Sequence, residues 1–412
     1  MSARRNLLLL TIDAWRADFC DAFEGVALTP ELAARAGRAV RFPRVWTNGP
    51  WTTPGLLPMF TGEAPPRHRV HWAWSEPRAD SRGLASVLRD AGYRVPNLCY
   101  LNAVGNYRNL GYEPGASPAS PKDPEDPVLF DALRSLSRGR GPFFAWYHYK
   151  FVHLPYWPAA RFRRALGVDD GALHPRLRAS VFREFVVERW RYPLDPPEDR
   201  EPVRRLYAAG VLQMDAWLGR VLDTLDALGM TEDTTVVLTA DHGDELLERG
   251  HVGHASTAEH ALLTEELLRI PLYVIDARVQ GPRVEPCRVQ GVDLFATLLG
   301  LLGVTAPAHD GVDLSTLVLS PESFTEPEGF AARPFLFHSG RMGYRTPREL
   351  DGHALFGLSD GRHKLVVERY EAPKATLYDL AADSEEGSPR TEGPEVEAWV
   401  QALDEAWRMG ER

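Results

Sequence analysis

The chain has 412 residues, of which 44% are hydrophobic and 25% are charged, and its 47 Lys and Arg against 57 Asp and Glu give a formal charge of −10. This composition excludes a disordered chain, a collagen and a coiled coil, while the length allows two or three domains of about 150 residues. The acidic balance weakens non-specific attraction to nucleic acid and to anionic lipid, and no run of five or more Arg or Lys is present. Charge alone excludes neither partner, but we expect neither nucleic acid nor a membrane.

The first apolar run, residues 7–12, is stopped by Asp13. It is shorter than the core of a signal peptide and far short of the about 20 residues that cross a bilayer. The cysteines, Cys20, Cys99 and Cys287, are too few and too dispersed for a disulfide framework, and their spacing fits no zinc motif. We therefore expect a cytoplasmic protein without membrane association.

Short apolar runs that end in polar residues predict buried strands, and segments with helical spacing lie between them. In chain order the predicted strands are 7–12, 142–149, 234–240 and 271–275, and the predicted helices are 81–93, 203–230 and 292–304. This alternation predicts an α/β fold with a central, mostly parallel sheet sandwiched by helices. Ligands collect at the carboxyl ends of such strands, where Asp13 and the pair Asp241 and His242 follow their strands.

Three further segments differ from this pattern. Residues 114–127 are rich in proline and small polar residues and predict a loop or linker, and 157–202 has no clear period and predicts an insertion that could cover a pocket. Around 355–370 an Asp-Gly turn separates two apolar runs, as in a β-hairpin. We predict a catalytic domain over 1–310 and a small β-containing C-terminal subdomain over 311–412.

Several segments with chemically useful side chains follow one another in a characteristic order. They are residues 7–18, 50–62, 151–158, 236–245, 262–274, 292–304 and 377–386. As an ordered set they resemble the sulfatase branch of the alkaline phosphatase superfamily over nearly the whole chain. The resemblance implies an alkaline-phosphatase-like fold and an enzyme that acts on anionic esters with the help of a divalent metal.

The resemblance implies that the metal is held by Asp13, Asp241, His242 and the nucleophile, for which Thr52 stands in this chain. Two carboxylates and an imidazole suit a hard or borderline dication, which depresses the pKa of a coordinated hydroxyl and neutralises charge on an ester oxygen. Taken singly, Asp13 also reads as a helix cap and His242 as a hydrogen-bonded loop histidine. Together they favour metal ligation.

One metal ligand of the sulfatases is missing here. The family has a second Asp directly after the first, and this chain has Ala14. The six-oxygen shell of calcium therefore lacks a ligand, so the sequence favours Mn²⁺ or Zn²⁺ over Ca²⁺ or Mg²⁺. Relatives with two zinc ions supply an Asp-x-x-x-His pair that is absent near His153, so we expect a single metal.

The nucleophile position departs further from the family. Sulfatases carry Cys or Ser in a C/S-x-P-x-R pattern and oxidise it to formylglycine, whereas residues 52–56 begin with Thr52 and end with Leu56 in place of Arg. Conversion to formylglycine is therefore not expected. A metal-activated Thr is typical of the phosphodiesterase and phosphoglycerol transferase branches, which favours phosphate or phosphonate esters. Thr53 competes for the role, but the spacing to residues 61–62 matches the family with Thr52.

Four histidines complete the candidate site. His153 matches the substrate-side histidine of the family, which can donate a hydrogen bond or proton to the leaving group, although it also reads as a core histidine. His260 stands where many sulfatases have Lys and could act as a general acid. His251 and His254 follow the metal pair and read equally as ligand contacts and as solvated surface.

Three functions remain open from the sequence. The first is a metal-dependent hydrolase, or transferase, of phosphate or phosphonate esters that uses Thr52 on a small anionic substrate, with His153 or His260 assisting the leaving group. The second is a sulfatase with an unmodified hydroxyl nucleophile. The third, from another class, is a catalytically silent binding protein of the same fold.

Overall fold

The structure is a computed structural model. It describes residues 4–70, 75–78, 80–99, 101, 110–111, 125–171, 177, 196–254, 261–341, 348–350, 352–370 and 372–411. His260, nearly all of the predicted loop at 114–127 and much of the predicted insertion at 157–202 lie outside the described residues.

The described strands and helices alternate over most of the chain. In chain order the strands are β1 (Asn6–Ile12), β2 (Ala22–Phe23), β3 (Val26–Ala27), β4 (Ala39–Trp46), β5 (Phe144–Tyr149), β6 (Thr234–Ala240), β7 (Glu245–Leu246), β8 (Val252–Gly253), β9 (Arg269–Ile275), β10 (Arg283–Val284), β11 (Val289–Gln290), β12 (Phe335–Gly340), β13 (Ala354–Ser359), β14 (His363–Arg369) and β15 (Lys374–Asp379). The helices are α1 (Pro30–Arg35), α2 (Thr52–Thr61), α3 (Pro65–His68), α4 (Leu84–Asp90), α5 (Val128–Arg138), α6 (Ala160–Ala165), α7 (Pro196–Ala227), α8 (Glu265–Leu268), α9 (Asp293–Leu301), α10 (Ser315–Leu319) and α11 (Pro394–Gly410).

The central sheet is mixed and mostly parallel, as predicted. Its strand order is β10-β4-β9-β6-β1-β5, and β11 also pairs with β4. Strand β1 runs parallel to both β5 and β6, whereas β9 runs antiparallel to β6 and β4. Two groups of helices flank it: α2, α4 and α9 pack together, and α1, α5 and α6 pack against α7. The apolar run of β1 is fully buried between them, as a strand covered on both faces requires.

The parallel register brings the ends of three strands to one edge. Ile12 at the end of β1 pairs with Ala240 at the end of β6 and with Tyr149 at the end of β5. Because both aspartates come directly after paired residues, Asp13 and Asp241 are adjacent at the carboxyl edge of the sheet. This edge is where an α/β sheet of this kind binds its ligands.

The C-terminal residues form a separate four-stranded antiparallel sheet, β12-β13-β14-β15, against which α11 packs. The predicted hairpin is confirmed as β13 and β14, with the turn at 360–361. Lys364 of β14 is fully buried and pairs with Glu265 and Glu386, which ties this sheet to α8. The domain boundary at residue 310 stays a prediction.

One predicted helix starts earlier than expected. The helical spacing predicts a helix over 203–230, whereas α7 starts at Pro196 and continues through Pro202. A proline in the first turn has no intrahelical hydrogen bond to lose, so Pro196 suits the start. None of the described helices, the 32-residue α7 included, is both long and apolar enough to cross a membrane. The cytoplasmic location stays a prediction.

Candidate active site

One of the two carboxylates at the sheet edge, that of Asp241, is held by backbone N–H groups. Asp241 Oδ1 accepts the backbone N–H groups of Ala14 at 3.0 Å and of His242 at 2.9 Å. Ala14 has a φ of 62°, a left-handed conformation that is rare outside glycine. The backbone therefore fixes one oxygen of Asp241, and its other oxygen, Oδ2, is directed toward Asp13 and the neighbouring imidazoles.

His242 presents one ring nitrogen to these carboxylates. Its Nδ1 lies 2.7 Å from the carbonyl oxygen of Gly243, and since a carbonyl only accepts, Nδ1 carries the proton. Its Nε2 lies 3.6 Å from Asp13 Oδ1 and 3.3 Å from Asp241 Oδ2. When the ring is neutral, Nε2 therefore directs a lone pair at the space between the two carboxylates.

A second imidazole, His148 of β5, joins the cluster and was not predicted as a site residue. Its Nε2 lies 3.3 Å from Asp13 Oδ2 and 3.8 Å from Asp241 Oδ2, and its Nδ1 lies 2.8 Å from Thr11 Oγ1. His148 pairs with Thr11 across β5 and β1. The two-residue period of β1 puts Thr11 and Asp13 on one face, so His148 reaches Asp13 through this strand register, which the sequence of β5 alone does not reveal.

The cluster fits a divalent cation. Among the described residues, Asp13 Oδ1, Asp241 Oδ2 and His242 Nε2 are buried without a hydrogen-bond partner, which is rare in folded proteins. Ligand atoms bound about 2.0 to 2.1 Å from zinc lie roughly 3 Å or slightly more from one another, close to the separations found here. The two buried carboxylates also carry negative charge that a dication offsets.

The close approach of carboxylates and imidazoles shifts the pKa values of Asp13 and His242 in the metal-free site. Burial alone would raise the pKa of Asp13, but the nearby imidazoles of His153, His148 and His242 hold it well below its usual range. Burial alone would lower the pKa of His242, but Asp241 and Asp13 raise it to about 9. Without a cation a proton on His242 balances part of the charge, and a bound cation would take the place of that proton.

A second cluster lies next to the first, and its side chains form hydrogen bonds with one another. His254 Nδ1 lies 2.8 Å from Asp244 Oδ1, and Asp244 Oδ2 accepts the hydroxyl of Tyr156 at 2.7 Å. Burial and the neighbouring His242 lower the pKa of His254 although Asp244 opposes this, so the neutral ring is favoured. The ring of His254 lies 4.3 Å from that of His242 and 4.8 Å from that of His153, centroid to centroid.

Helix α2 brings Thr52 to this region. A Cβ placed on Gly55, in the first turn, would lie 2.2 Å from the carbonyl oxygen of Asp241, so only glycine allows this close approach. Thr52 at the start of the helix is partly exposed, whereas Thr53 is buried. Leu56, at the position of the family's Arg, is also buried in the core.

The sequence model of the sulfatase family matches residues 5–304. The chain belongs to the sulfatase family. It is 25% identical over 452 residues to a choline-sulfatase of Rhizobium meliloti, covering 95% of this chain and 83% of that protein. It is also 24% identical over 510 residues to the multifunctional alkaline phosphatase superfamily protein PehA of Trinickia caryophylli, covering 98% of this chain and 95% of that protein.

Among solved structures, the chain is similar to the phosphonate monoester hydrolase of Agrobacterium radiobacter, with a TM-score of 0.73 and 21% identity over 99% of this chain and 96% of that one. This likeness confirms the predicted fold. Membership of the sulfatase family makes the protein an ester hydrolase, so the reading as a silent binding protein is set aside. The family is metal-dependent, and the carboxylate and imidazole groups described above are able to bind a metal.

The structure brings together most of the site residues that the sulfatase resemblance implied. Asp13, Asp241 and His242 converge at the sheet edge, and Thr52 begins the helix that packs against Asp241. His153 lies beside His254, and its Nδ1 lies 2.5 Å from the carbonyl oxygen of Leu154. His260 lies outside the described residues. The catalytic and metal-binding roles of all these side chains stay predictions.

Sequence reasoning left His254 undecided and did not select Asp244 or Tyr156. His254 is 4% exposed, so it is not a solvated surface residue, whereas His251 is partly exposed. Asp244 and Tyr156 are 88 residues apart in the chain, and only the fold brings them together. The spacing from Asp244 to His254 across the β7–β8 pair was the available signal, because antiparallel neighbours of a short turn face each other.

Proposed function

We propose that this sulfatase-family hydrolase cleaves phosphate or phosphonate esters and uses Thr52 as an unmodified nucleophile. The observation that carries the proposal is the convergence of Asp13, Asp241 and His242, with buried atoms facing one another, beside the helix that Thr52 begins. The buried Leu56 supports it, because the Arg of the formylglycine pattern is replaced by a core residue.

Asp13, Asp241 and His242 would hold a single divalent metal together with the Thr52 hydroxyl, and Mn²⁺ or Zn²⁺ suits this mixed oxygen and nitrogen set. When bound, the cation would lower the pKa of the Thr52 hydroxyl and neutralise charge on a non-bridging oxygen of the ester. The backbone supports these ligands, since Ala14 and His242 N–H groups bind Asp241 and the Gly243 carbonyl binds the His242 ring. Their orientation is therefore set before substrate arrives.

Thr52 attacks phosphorus in line with the leaving oxygen. A bond forms between Thr52 Oγ and phosphorus, the bond to the leaving oxygen breaks, and the threonine carries a phosphoryl or phosphonyl group. The first turn of α2 offers backbone N–H groups that lack partners within the helix, and these favour the negative charge of the ester. Attack by water on the same phosphorus then restores the Thr52 hydroxyl and releases the acid.

His254 is suited to carry the proton in both steps. Asp244 holds its Nδ1–H, so the neutral ring accepts a proton at Nε2 and then donates it to the departing oxygen. Burial and the charge of Asp244 raise the pKa of Tyr156, so its hydroxyl stays protonated and keeps donating to Asp244. His153, whose ring lies 4.8 Å from that of His254, would contact the leaving group.

The relatives support this substrate class. The similar structure is a phosphonate monoester hydrolase, and the relative from Trinickia caryophylli is named a multifunctional member of the alkaline phosphatase superfamily. A small anionic ester is accordingly the proposed substrate.

The test compares the Thr52→Ala, Thr52→Ser and Thr53→Ala variants with the unaltered chain. Rates are measured on 4-nitrophenyl phosphate, bis(4-nitrophenyl) phosphate, 4-nitrophenyl phenylphosphonate and 4-nitrophenyl sulfate, after chelation and return of Mn²⁺, Zn²⁺, Mg²⁺ or Ca²⁺. We expect Thr52→Ala to lose on the order of 10³-fold or more in kcat with Thr53→Ala near the unaltered rate. Activity that survives Thr52→Ala but not Thr53→Ala contradicts the assignment.

A second candidate is the hydrolysis of sulfate esters by the same hydroxyl. The family match and the choline-sulfatase relative favour it. Turnover of 4-nitrophenyl sulfate well above that of the phosphorus esters, abolished by Thr52→Ala, would establish this alternative and replace the first.

A further inference from the structure

The proposed metal site lacks one side-chain ligand that the sulfatase family has. The sulfatases place a second carboxylate directly after the first, and this chain has Ala14 there. Ala14 contributes its backbone N–H to Asp241 Oδ1 and has no side-chain ligand atom. The carboxylate at position 14 therefore has no direct substitute in the same loop.

His148 reaches the same carboxylates from a different strand, β5. Its Nε2 lies 3.3 Å from Asp13 Oδ2 and 3.8 Å from Asp241 Oδ2, while His242 Nε2 lies 3.6 Å and 3.3 Å from oxygens of the same two aspartates. Both imidazoles thus approach the same pair of carboxylates at similar distances. The four side chains are buried, and those of His148, Asp241 and His242 are wholly inaccessible to solvent.

The far side of His148 is held as that of a metal ligand usually is. Thr11 Oγ1 lies 2.8 Å from His148 Nδ1 and also accepts the indole N–H of Trp146 at 2.8 Å. A hydroxyl oxygen has two lone pairs, so Thr11 is able to accept from both rings and hold the proton of His148 on Nδ1. An outer partner that fixes the tautomer of a ligating histidine is a general feature of metal sites.

We propose that His148 is a ligand of the metal and replaces the carboxylate that is missing at Ala14. The inference rests on the metal-dependent ester hydrolysis proposed above. It gives a shell of two carboxylates and two imidazoles, to which Thr52 adds an oxygen. Imidazole suits Zn²⁺ and other transition metals, whereas Ca²⁺ and Mg²⁺ prefer oxygen, so the exchange of carboxylate for imidazole shifts selectivity toward transition metals.

The test uses Co²⁺ as a spectroscopic probe on the full chain after chelation. The visible absorption of bound Co²⁺ reports the number and kind of its ligands, and titration gives its Kd. The variant is His148→Gln, which keeps a polar side chain beside Asp13 but is a poor ligand for Co²⁺. The matched control is His338→Gln, which alters a buried histidine of the C-terminal sheet. Thermal melts of the chelated proteins verify that each variant folds.

We expect His148→Gln to weaken Co²⁺ binding by about 100-fold or more and to change its absorption spectrum, since even an outer partner of a ligand costs about 10- to 100-fold. A second variant, His148→Gln with Ala14→Asp, restores a carboxylate at the family's position. It is expected to regain divalent binding with a preference moved toward Ca²⁺ and Mg²⁺. This variant also keeps the proposal testable if the single substitution folds poorly.

The outcomes separate this inference from the proposed function. If the unaltered chain binds Co²⁺ and hydrolyses esters while His148→Gln keeps its Kd within about threefold and its spectrum unchanged, His148 is not a ligand and only this inference fails. If the unaltered chain binds Co²⁺ through His148 but hydrolyses none of the esters, the proposed function fails and the ligand assignment stands. If it binds no divalent metal, both fail.

Discussion

Two neighbouring clusters of side chains at the carboxyl edge of the sheet differ in the hydrogen-bond partners of their buried polar atoms. In the first, Asp241 and His242 make hydrogen bonds outward to the backbone, and Asp13 Oδ1, Asp241 Oδ2 and His242 Nε2 are buried without a hydrogen-bond partner among the described residues. In the second, His254 and Asp244 bind each other directly, and Tyr156 completes the pair.

The difference indicates two chemical tasks. Buried polar atoms without partners are costly, so a set of them that converges on one point implies a cation that supplies the missing interactions. A histidine held by a carboxylate at one nitrogen is instead oriented for proton transfer at the other. Substitutions in the first cluster should therefore change metal binding, and those in the second should change the response to the leaving group.

The largest effect is expected from Asp241→Asn in the first cluster. The amide removes a buried charge and a ligand while keeping the shape, so metal affinity should fall and kcat/KM for the preferred ester should drop by on the order of 10³-fold or more. Metal content after dialysis, measured by mass spectrometry, together with kinetics checks this. A variant that retains both full metal content and full activity would refute the assignment of this cluster to the cation.

His254→Asn should produce the next largest effect, and only for difficult leaving groups. Loss of proton transfer is expected to cost about 10²- to 10⁴-fold for esters of simple alcohols. The loss should be smaller for 4-nitrophenyl esters, whose leaving group needs no proton, so that only proton acceptance by His254 is missing. The slope of log kcat/KM against the pKa of the leaving group should steepen while metal content stays constant. An equal loss of activity across all leaving groups, or a loss of metal, would contradict a role of His254 in proton transfer to the leaving group that is separate from metal binding.

Tyr156→Phe should show a smaller change in the same direction. The substitution removes one hydrogen bond to Asp244 and leaves the Asp244–His254 contact in place, so about 1 kcal/mol, or roughly 5- to 10-fold in rate with poor leaving groups, is expected. Kinetics with alkyl esters measure it. A metal-affinity change without a rate change would contradict the positioning of His254 through Asp244.

The smallest effect on catalysis is expected from Asp215→Asn, which alters a buried carboxylate that has its partners. Asp215 accepts the backbone N–H groups of Glu31 at 2.7 Å and Leu32 at 2.9 Å at the start of α1. Burial raises its pKa to about 6 against these hydrogen bonds. We expect metal binding and kcat/KM to change by less than about twofold. A larger change in either quantity would mean that a buried carboxylate with hydrogen-bond partners affects the reaction as the carboxylates of the first cluster do.

The same variant should alter the dependence of stability on pH. Because the folded-state pKa of Asp215 lies above the unfolded value of about 3.9, the folded chain binds this proton more tightly. The contribution of this proton to the free energy of unfolding is therefore fully present below about pH 4. It is lost, by up to about 3 kcal/mol, as the pH rises through about 6. Denaturation of the chelated protein across this range should show a shallower fall in Asp215→Asn, and an unchanged fall would contradict the assignment.

The sequence predicted those features that depend on local pattern. The apolar run before Asp13 and the run before Asp241 each predicted a buried strand, and the parallel arrangement then predicted that the two aspartates would meet. The hairpin around the 360–361 turn was predicted in the same way. These predictions succeed because the burial of a strand and the formation of a turn depend on residues that are neighbours in the sequence.

The sequence could not predict features that depend on distant pairings. His148 lies inside an apolar strand and becomes part of the site only because β5 pairs with β1 in one particular register. Asp244 and Tyr156 meet across 88 residues. The antiparallel direction of β9 is likewise invisible in its apolar run, since a buried strand has the same composition in either direction.

The most direct test of the account is an anomalous-scattering map, recorded at the absorption edge of the metal on crystals grown without chelator. We predict one strong peak enclosed by Asp13, Asp241 and His242, with the Thr52 hydroxyl facing it. A map without a peak in this cluster, or a peak bound only by other residues, would contradict the claim that these side chains converge on a shared cation.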